Sequence, residues 1–138
     1  MKTNICLLIR KEMLYTSYFA NIKKLPAGYV PVSIALYPPK GWAGLSYPAL
    51  FPTPDILAGV KISRDKETYI NEYKEKVLGK LSKEQVMNEI NQLVGGKTAV
   101  LCCYEKPVAG EFYCHRQLVA EFLGIQEFSE PVLPSLFD

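Results

Sequence analysis

An α/β domain with a mostly parallel sheet is what this chain predicts, on three observations. Two segments, Tyr29 to Leu36 (YVPVSIAL) and Thr98 to Tyr104 (TAVLCCY), are apolar along almost their whole length. That suits strands covered on both faces, as in a parallel sheet. Between and after them, helical patterns alternate with strand-like runs, the order from which parallel sheets are built.

The totals agree with one domain. At 138 residues the chain is large enough to bury a core, and 49% hydrophobic with 22% charged residues is ordinary for a globular protein. The net charge of +2, from 16 basic and 14 acidic residues, gives no electrostatic argument for nucleic acid. Ile5 to Ile9 is the only apolar run near the start and is closed at once by Arg10, Lys11 and Glu12. It is too short for the core of a signal peptide or for a membrane span. The cysteines at 6, 102, 103 and 114 show no framework of spaced pairs. Neighbours on a strand point to opposite faces, so 102 and 103 are poorly placed to bond each other. A reducing, cytoplasmic setting with no membrane contact is the expectation.

Residues 1–12 read as an extension or an extra strand, and residues 13–138 as a single domain. MLYTSYF, from Met13, is rich in aromatic and β-favouring residues and predicts the first strand, ending near Thr16 with Ser17 just beyond. Phe19 to Leu25 is a short helical or irregular crossover, closed by Pro26-Ala27-Gly28. Tyr29 to Leu36 is the second strand. Tyr37 to Asp55 carries five prolines and two glycines, which excludes a long helix or an inner strand. Its Tyr37, Trp42, Tyr47 and Phe51 argue for an ordered loop covering one side of a site. Ile56 to Ile62 is ambiguous between a short strand and a turn.

From Asp65 the helical period returns, with Ile70, Tyr73, Val77 and Leu78 on one face and Gly79 as its stop. Ser82-Lys83-Glu84-Gln85 is a capping box for a second helix. Val86, Ile90, Leu93 and Val94 form its buried stripe, and Gly95-Gly96 ends it. Thr98 to Tyr104 is the central strand. Apolar residues at 118, 119, 122 and 123 give a last helix from Arg116, capped by Gly124, before a short strand over Ile125 to Phe128.

In open parallel sheets, ligands bind in the crevice outside the carboxyl ends of the strands. That rule brings Ser17 and Tyr18, the loop aromatics Tyr37 and Trp42, and Cys103 with Glu105 to one rim. The last helix brings Cys114, His115 and Arg116. A helix amino end with an arginine fork suits an anion, and lowers the pKa of a cysteine set there. The expected ligand is small and anionic or nucleotide-like.

CYEKP…CHRQLVAEFL, with YTSYFANIKKLP near the start and VSIALYPPKGW after it, resembles the bacterial and phage proteins of domain of unknown function family 488. The likeness runs from about Met13 to Phe128, and its Cys-x-Glu…Cys-His-Arg signature is distinctive. It implies a single Rossmann-like three-layer domain with a long proline and aromatic loop. It also implies site positions at Cys103, Glu105, Cys114, His115 and Arg116. Family members mostly begin close to the first strand, so the first twelve residues depart from them.

Each group also has a plainer use. Cys102, mid-strand among apolar neighbours, reads as core. Glu105 is either a loop residue paired with Lys106 or a catalytic base or nucleophile with a raised pKa. His115 and Arg116 are either site residues or an internal cap and an ion pair to Glu105 or Glu111. Tyr37 and Trp42 serve as loop packing or as ligand-stacking surfaces. Cys103, Glu105, Cys114 and His115 are ligand types for zinc, but the short spacing of paired cysteines is missing, so no metal or cofactor is expected. A cysteine phosphatase is disfavoured, since Cys114 and Arg116 stand too close to cradle a phosphate between them.

Two functions follow. One is an enzyme cleaving a small phosphorylated or nucleotide-like substrate at a glycosidic or phosphate-ester bond. There Arg116 holds the anion, Glu105 is general base or nucleophile, and Cys114 or His115 assists. The other is a binding module of the same fold that captures such a ligand, or a protein partner, without chemistry. A carboxylate, a thiol and an imidazole beside one anion site exceed what binding requires, which tilts the sequence reading to the enzyme.

Overall fold

A computed structural model describes residues 14–63, 66–104 and 115–128. The expected 1–12 extension, Glu105 and Cys114 lie outside these residues. Among the described residues the strands are β1 (Leu14–Tyr18), β2 (Tyr29–Ser33), β3 (Leu45–Ser46), β4 (Thr98–Cys103) and β5 (Gln126–Glu127). The α-helices are α1 (Pro54–Ser63), α2 (Lys66–Lys76), α3 (Lys83–Leu93) and α4 (Arg116–Leu123).

The sheet is parallel throughout, in the order β3-β2-β4-β1-β5. The predicted α/β architecture is therefore present, with β4 central as its uniformly apolar sequence requires. Leu14, Val32, Ile34, Ala99, Leu101 and Cys103 face the main core, where they meet Val86, Ile90, Leu118 and Val119 from α3 and α4. The strand alternation turns Tyr15, Ser17, Ser33, Val100 and Cys102 to the opposite face. Parallel crossovers are right-handed, so direction of travel across the sheet sets the face each connection covers. The helical connections β3→β4 and β4→β5 move one way. The β1→β2 connection moves the other way, as the short 3-10 segment Phe19–Lys24.

Several local readings shift. β1 continues to Tyr18 rather than ending near Thr16, because β4 pairs with it as far as Cys103. Ser17 consequently lies inside the sheet, opposite Cys102. β2 ends at Ser33 instead of Leu36, where the Ser33 hydroxyl takes the Ala35 amide (3.2 Å). The ambiguous segment Ile56 to Ile62 belongs to α1. Its start signal was present in the sequence: Thr53, then Pro54 at the first helical position, then an acidic Asp55 in the first turn. Thr53 hydrogen-bonds the Asp55 carboxylate, and Leu57 donates back to the Thr53 carbonyl at 3.1 Å.

The proline-rich loop is ordered by tyrosine hydroxyls, one of its own and one from α2. The Tyr47 hydroxyl donates to Glu89 on α3, and the Tyr73 hydroxyl to the Leu50 carbonyl at 2.6 Å. The bond from Tyr47 holds the Glu89 carboxyl below its ordinary range, while burial pushes the Tyr47 hydroxyl up. The loop's strand, β3, sits at the sheet edge, the place where a proline-rich segment can pair.

The capping box is half made. Ser82 accepts from the Gln85 amide at 3.4 Å, but the Gln85 side chain turns forward to Glu89 (3.3 Å) instead of back. Along α3, Met87 takes the buried place expected of Leu93, which is exposed. Gly95 and Gly96 end the helix at φ 64° and 79°, with the Gly96 amide bonding the Asn91 carbonyl at 2.9 Å. Ser82→Ala is expected to cost about 0.5–1 kcal/mol, because one of the two capping bonds is all it removes. A urea midpoint shift at constant slope would measure it; no shift would mean the cap is not a stabilising bond.

Candidate functional site

The carboxyl ends of β1 and β4 are register partners: Tyr18 lies opposite Cys103, and Ser17 opposite Cys102. The connections diverge next door, between the adjacent strands β2 and β4: that of β2 leaves toward β3 and that of β4 toward β5, while that of β1 passes over β4 toward β2. Such a divergence leaves a crevice between the two connections, where open α/β sheets hold ligands.

On the helical side of this crevice stands Arg116, the first residue of α4, with none of its surface exposed. Its Nε donates to Glu127 on β5 at 2.9 Å, and its Nη1 to the Cys103 sulfur at 3.5 Å. Its guanidinium carbon lies 5.5 Å from the centroid of the Tyr18 ring, within range of a cation–π contact. The described carboxylate on Arg116 is thus Glu127, eleven residues on; an ion pair to Glu105 or Glu111 involves residues outside the description. Glu127 was missed because its position two strands away from β4 is a matter of topology. Cys103 is disulfide-bonded, a bond that the spacing of the cysteines does not announce.

His115 points elsewhere. Its Nε2 donates to the Ile34 carbonyl at 2.7 Å, just past β2, and its ring lies 5.1 Å from that of Tyr73 on α2. Burial, countered by the bond to Ile34 and reinforced by Arg116, brings its pKa down to about 4. The ring is therefore neutral near pH 7, with its proton on Nε2.

On the other side of the crevice the rim is aromatic. Phe19 packs edge-on to Trp42 (5.2 Å) and to Tyr104 (5.0 Å). The Tyr104 hydroxyl donates to the Tyr37 carbonyl, and the Trp42 indole to the Leu45 carbonyl at 3.2 Å. Tyr37 is 66% exposed and Tyr104 48%. Phe19 and Tyr104 were absent from the sequence expectation, although both immediately follow strands whose ends were already placed at the rim.

The structure thus brings Tyr18, Cys103 and Arg116 together, and Tyr37 and Trp42 into a second cluster. Ser17 joins neither. It is buried on the opposite face from Arg116, accepting from the Asn21 amide at 3.1 Å. Cys102 is a free, buried thiol whose pKa burial pushes up to about 12, in keeping with a core role. Among the described residues no group of three or more His, Cys, Asp or Glu is placed to hold a metal ion, and no helix is long and apolar enough to cross a membrane.

Two predictions test these contacts. The His115 pKa lies below its unfolded value of about 6.5, so the unfolded chain binds more protons between the two. Stability is full above pH 6.5 and falls as pH drops toward 4, by about 3 kcal/mol in all. Urea midpoints across this window should flatten in His115→Gln; an unchanged slope would reject the assignment. Glu127→Gln should cost about 1–2 kcal/mol, tempered by the partial exposure of the carboxylate, and a neutral result would show the pair to be only incidental.

No family model matches the chain, and no curated protein or solved structure matches it either.

Proposed function

We propose that the crevice at the carboxyl edge between β2 and β4 is a ligand site, and that the chain captures there a small phosphorylated or nucleotide-like molecule. The observation that carries this reading is the divergence of the two connections at the carboxyl edge, with a buried arginine on one side and exposed aromatic rings on the other. The resemblance to domain of unknown function family 488, with its bacterial or phage origin, is part of the same proposal. So is a cytoplasmic setting, where a bond such as the Cys103 disulfide would form only transiently.

Capture is favoured over cleavage by a specific feature of the described residues. His115 is buried and its Nε2 is committed to the Ile34 carbonyl, so it is not placed to carry a proton to a ligand. The enzymatic form of the proposal therefore rests on Glu105 as general base or nucleophile with Cys114 assisting. Arg116 and its neighbouring amides serve the ligand's anionic group in both forms.

Native mass spectrometry of gently purified protein, with denatured protein as reference, tests capture without assuming a substrate. A discrete extra mass that is lost in Arg116→Lys, a variant that keeps the charge and loses the fork, is the expected result. Glu105→Gln then separates the two forms. A binder keeps its ligand and shows no turnover in either protein, whereas an enzyme keeps affinity and loses turnover. Retention of the same mass by the Arg116 variant would remove the arginine from the site.

A further inference from the structure

We infer that the aromatic rim stacks a nucleobase, which makes the ligand of the proposed site a nucleoside monophosphate rather than a sugar phosphate. The inference rests on the reading of the crevice as an anion site and adds the chemical identity of the ligand's other end.

Tyr104 carries the argument. About half of its surface is open to solvent, yet the ring is held at two places: edge-on by Phe19, and at its hydroxyl by the Tyr37 carbonyl. Holding a half-exposed side chain in one geometry costs rotamer entropy that little burial offsets. A ring fixed in this way is ready to receive a planar partner without further ordering. Tyr37 stands beside it, and together they are two of the three exposed large apolar side chains among the described residues.

Trp42 is the wall behind this surface. Its indole N–H is committed to Leu45, and its ring lies so close over Gly44 that a Cβ there would meet it at 2.6 Å. That contact explains a glycine at 44 and fixes the indole through Phe19 to Tyr104.

The charge around the rim selects the same class of ligand. Within residues 18–24, 34–46 and 104, which leave the carboxyl ends of β1, β2 and β4, there are three lysines, Lys23, Lys24 and Lys40, and no carboxylate, Glu105 being the next in sequence. Nucleotides suit a surface that offers rings for the base and cations for the phosphate. Two exposed tyrosines fall far short of the roughly 800 Å² per partner that a stable protein interface buries.

The chain contains one tryptophan, so its fluorescence reports on Trp42 alone. Wild-type protein and Tyr104→Ala would be titrated with AMP, GMP, CMP and UMP, with ribose 5-phosphate, and with inorganic phosphate, affinities being taken from calorimetry. At least one nucleotide is expected to shift Trp42 emission and to bind at least tenfold more tightly than ribose 5-phosphate. Tyr104→Ala should lower nucleotide affinity about tenfold and leave ribose 5-phosphate unchanged. Tyr104→Phe, which keeps the ring, should retain most of the nucleotide affinity and guards against misfolding of the alanine variant. Equal affinity for ribose 5-phosphate and every nucleotide, or an unaltered nucleotide affinity in Tyr104→Ala, would overturn base stacking while leaving the anion site standing. Binding of none of these probes would overturn both.

Discussion

The dipeptide His115-Arg116 fastens the start of α4 to four strands at once. His115 reaches the backbone just past β2, while Arg116 spans Tyr18 at the end of β1, Cys103 at the end of β4 and Glu127 on β5. A parallel sheet holds its strands by backbone bonds along their length but leaves their carboxyl ends to whatever follows. Here two consecutive side chains gather those ends, and the relative positions of the loops at the rim depend on them. A buried guanidinium is costly unless its donors are engaged, and the ion pair with Glu127 meets part of that cost. Arg116 is thus a structural brace, and through the same contacts the wall of the crevice.

The two faces of the sheet do different work. The helical face holds the continuous core, in which Tyr69, Tyr73 and His115 link α2 to the start of α4. On the opposite face the short 3-10 segment follows directly on β1, and Ser17, Ser33, Val100 and Cys102 are buried there.

The long loop shows how a proline-rich segment can be rigid without regular structure. Prolines remove amide donors and forbid an inner strand, so the loop's order comes from side-chain bonds at Trp42, Tyr47 and Tyr73 and from the edge pairing of β3. An aromatic ring with a polar handle can pack and hydrogen-bond together. This is why aromatic content was a sound sign of order, although the partners of those handles, Leu45, Glu89 and Leu50, were not evident.

Periodicity and turn chemistry determined the class of fold: uniformly apolar strands, the Ser82 cap, the Gly95-Gly96 and Gly124 stops, and the placing of Cys103, Arg116, Tyr37 and Trp42 near the carboxyl edge. These are local properties, set by the spacing of apolar residues and by backbone preferences within a few positions. Which side chains touch was decided only by the tertiary structure. Alternation separated Ser17 from Tyr18 once the length of β1 was set by its pairing with β4. The choice of Glu127 for Arg116 depended on β5 lying next to β1. The seating of His115 against Ile34 and Tyr73, and the meeting of Phe19 with Tyr104, join residues from about 40 to more than 80 positions apart. Contacts across such separations come from strand order and crossover direction, which no local pattern encodes.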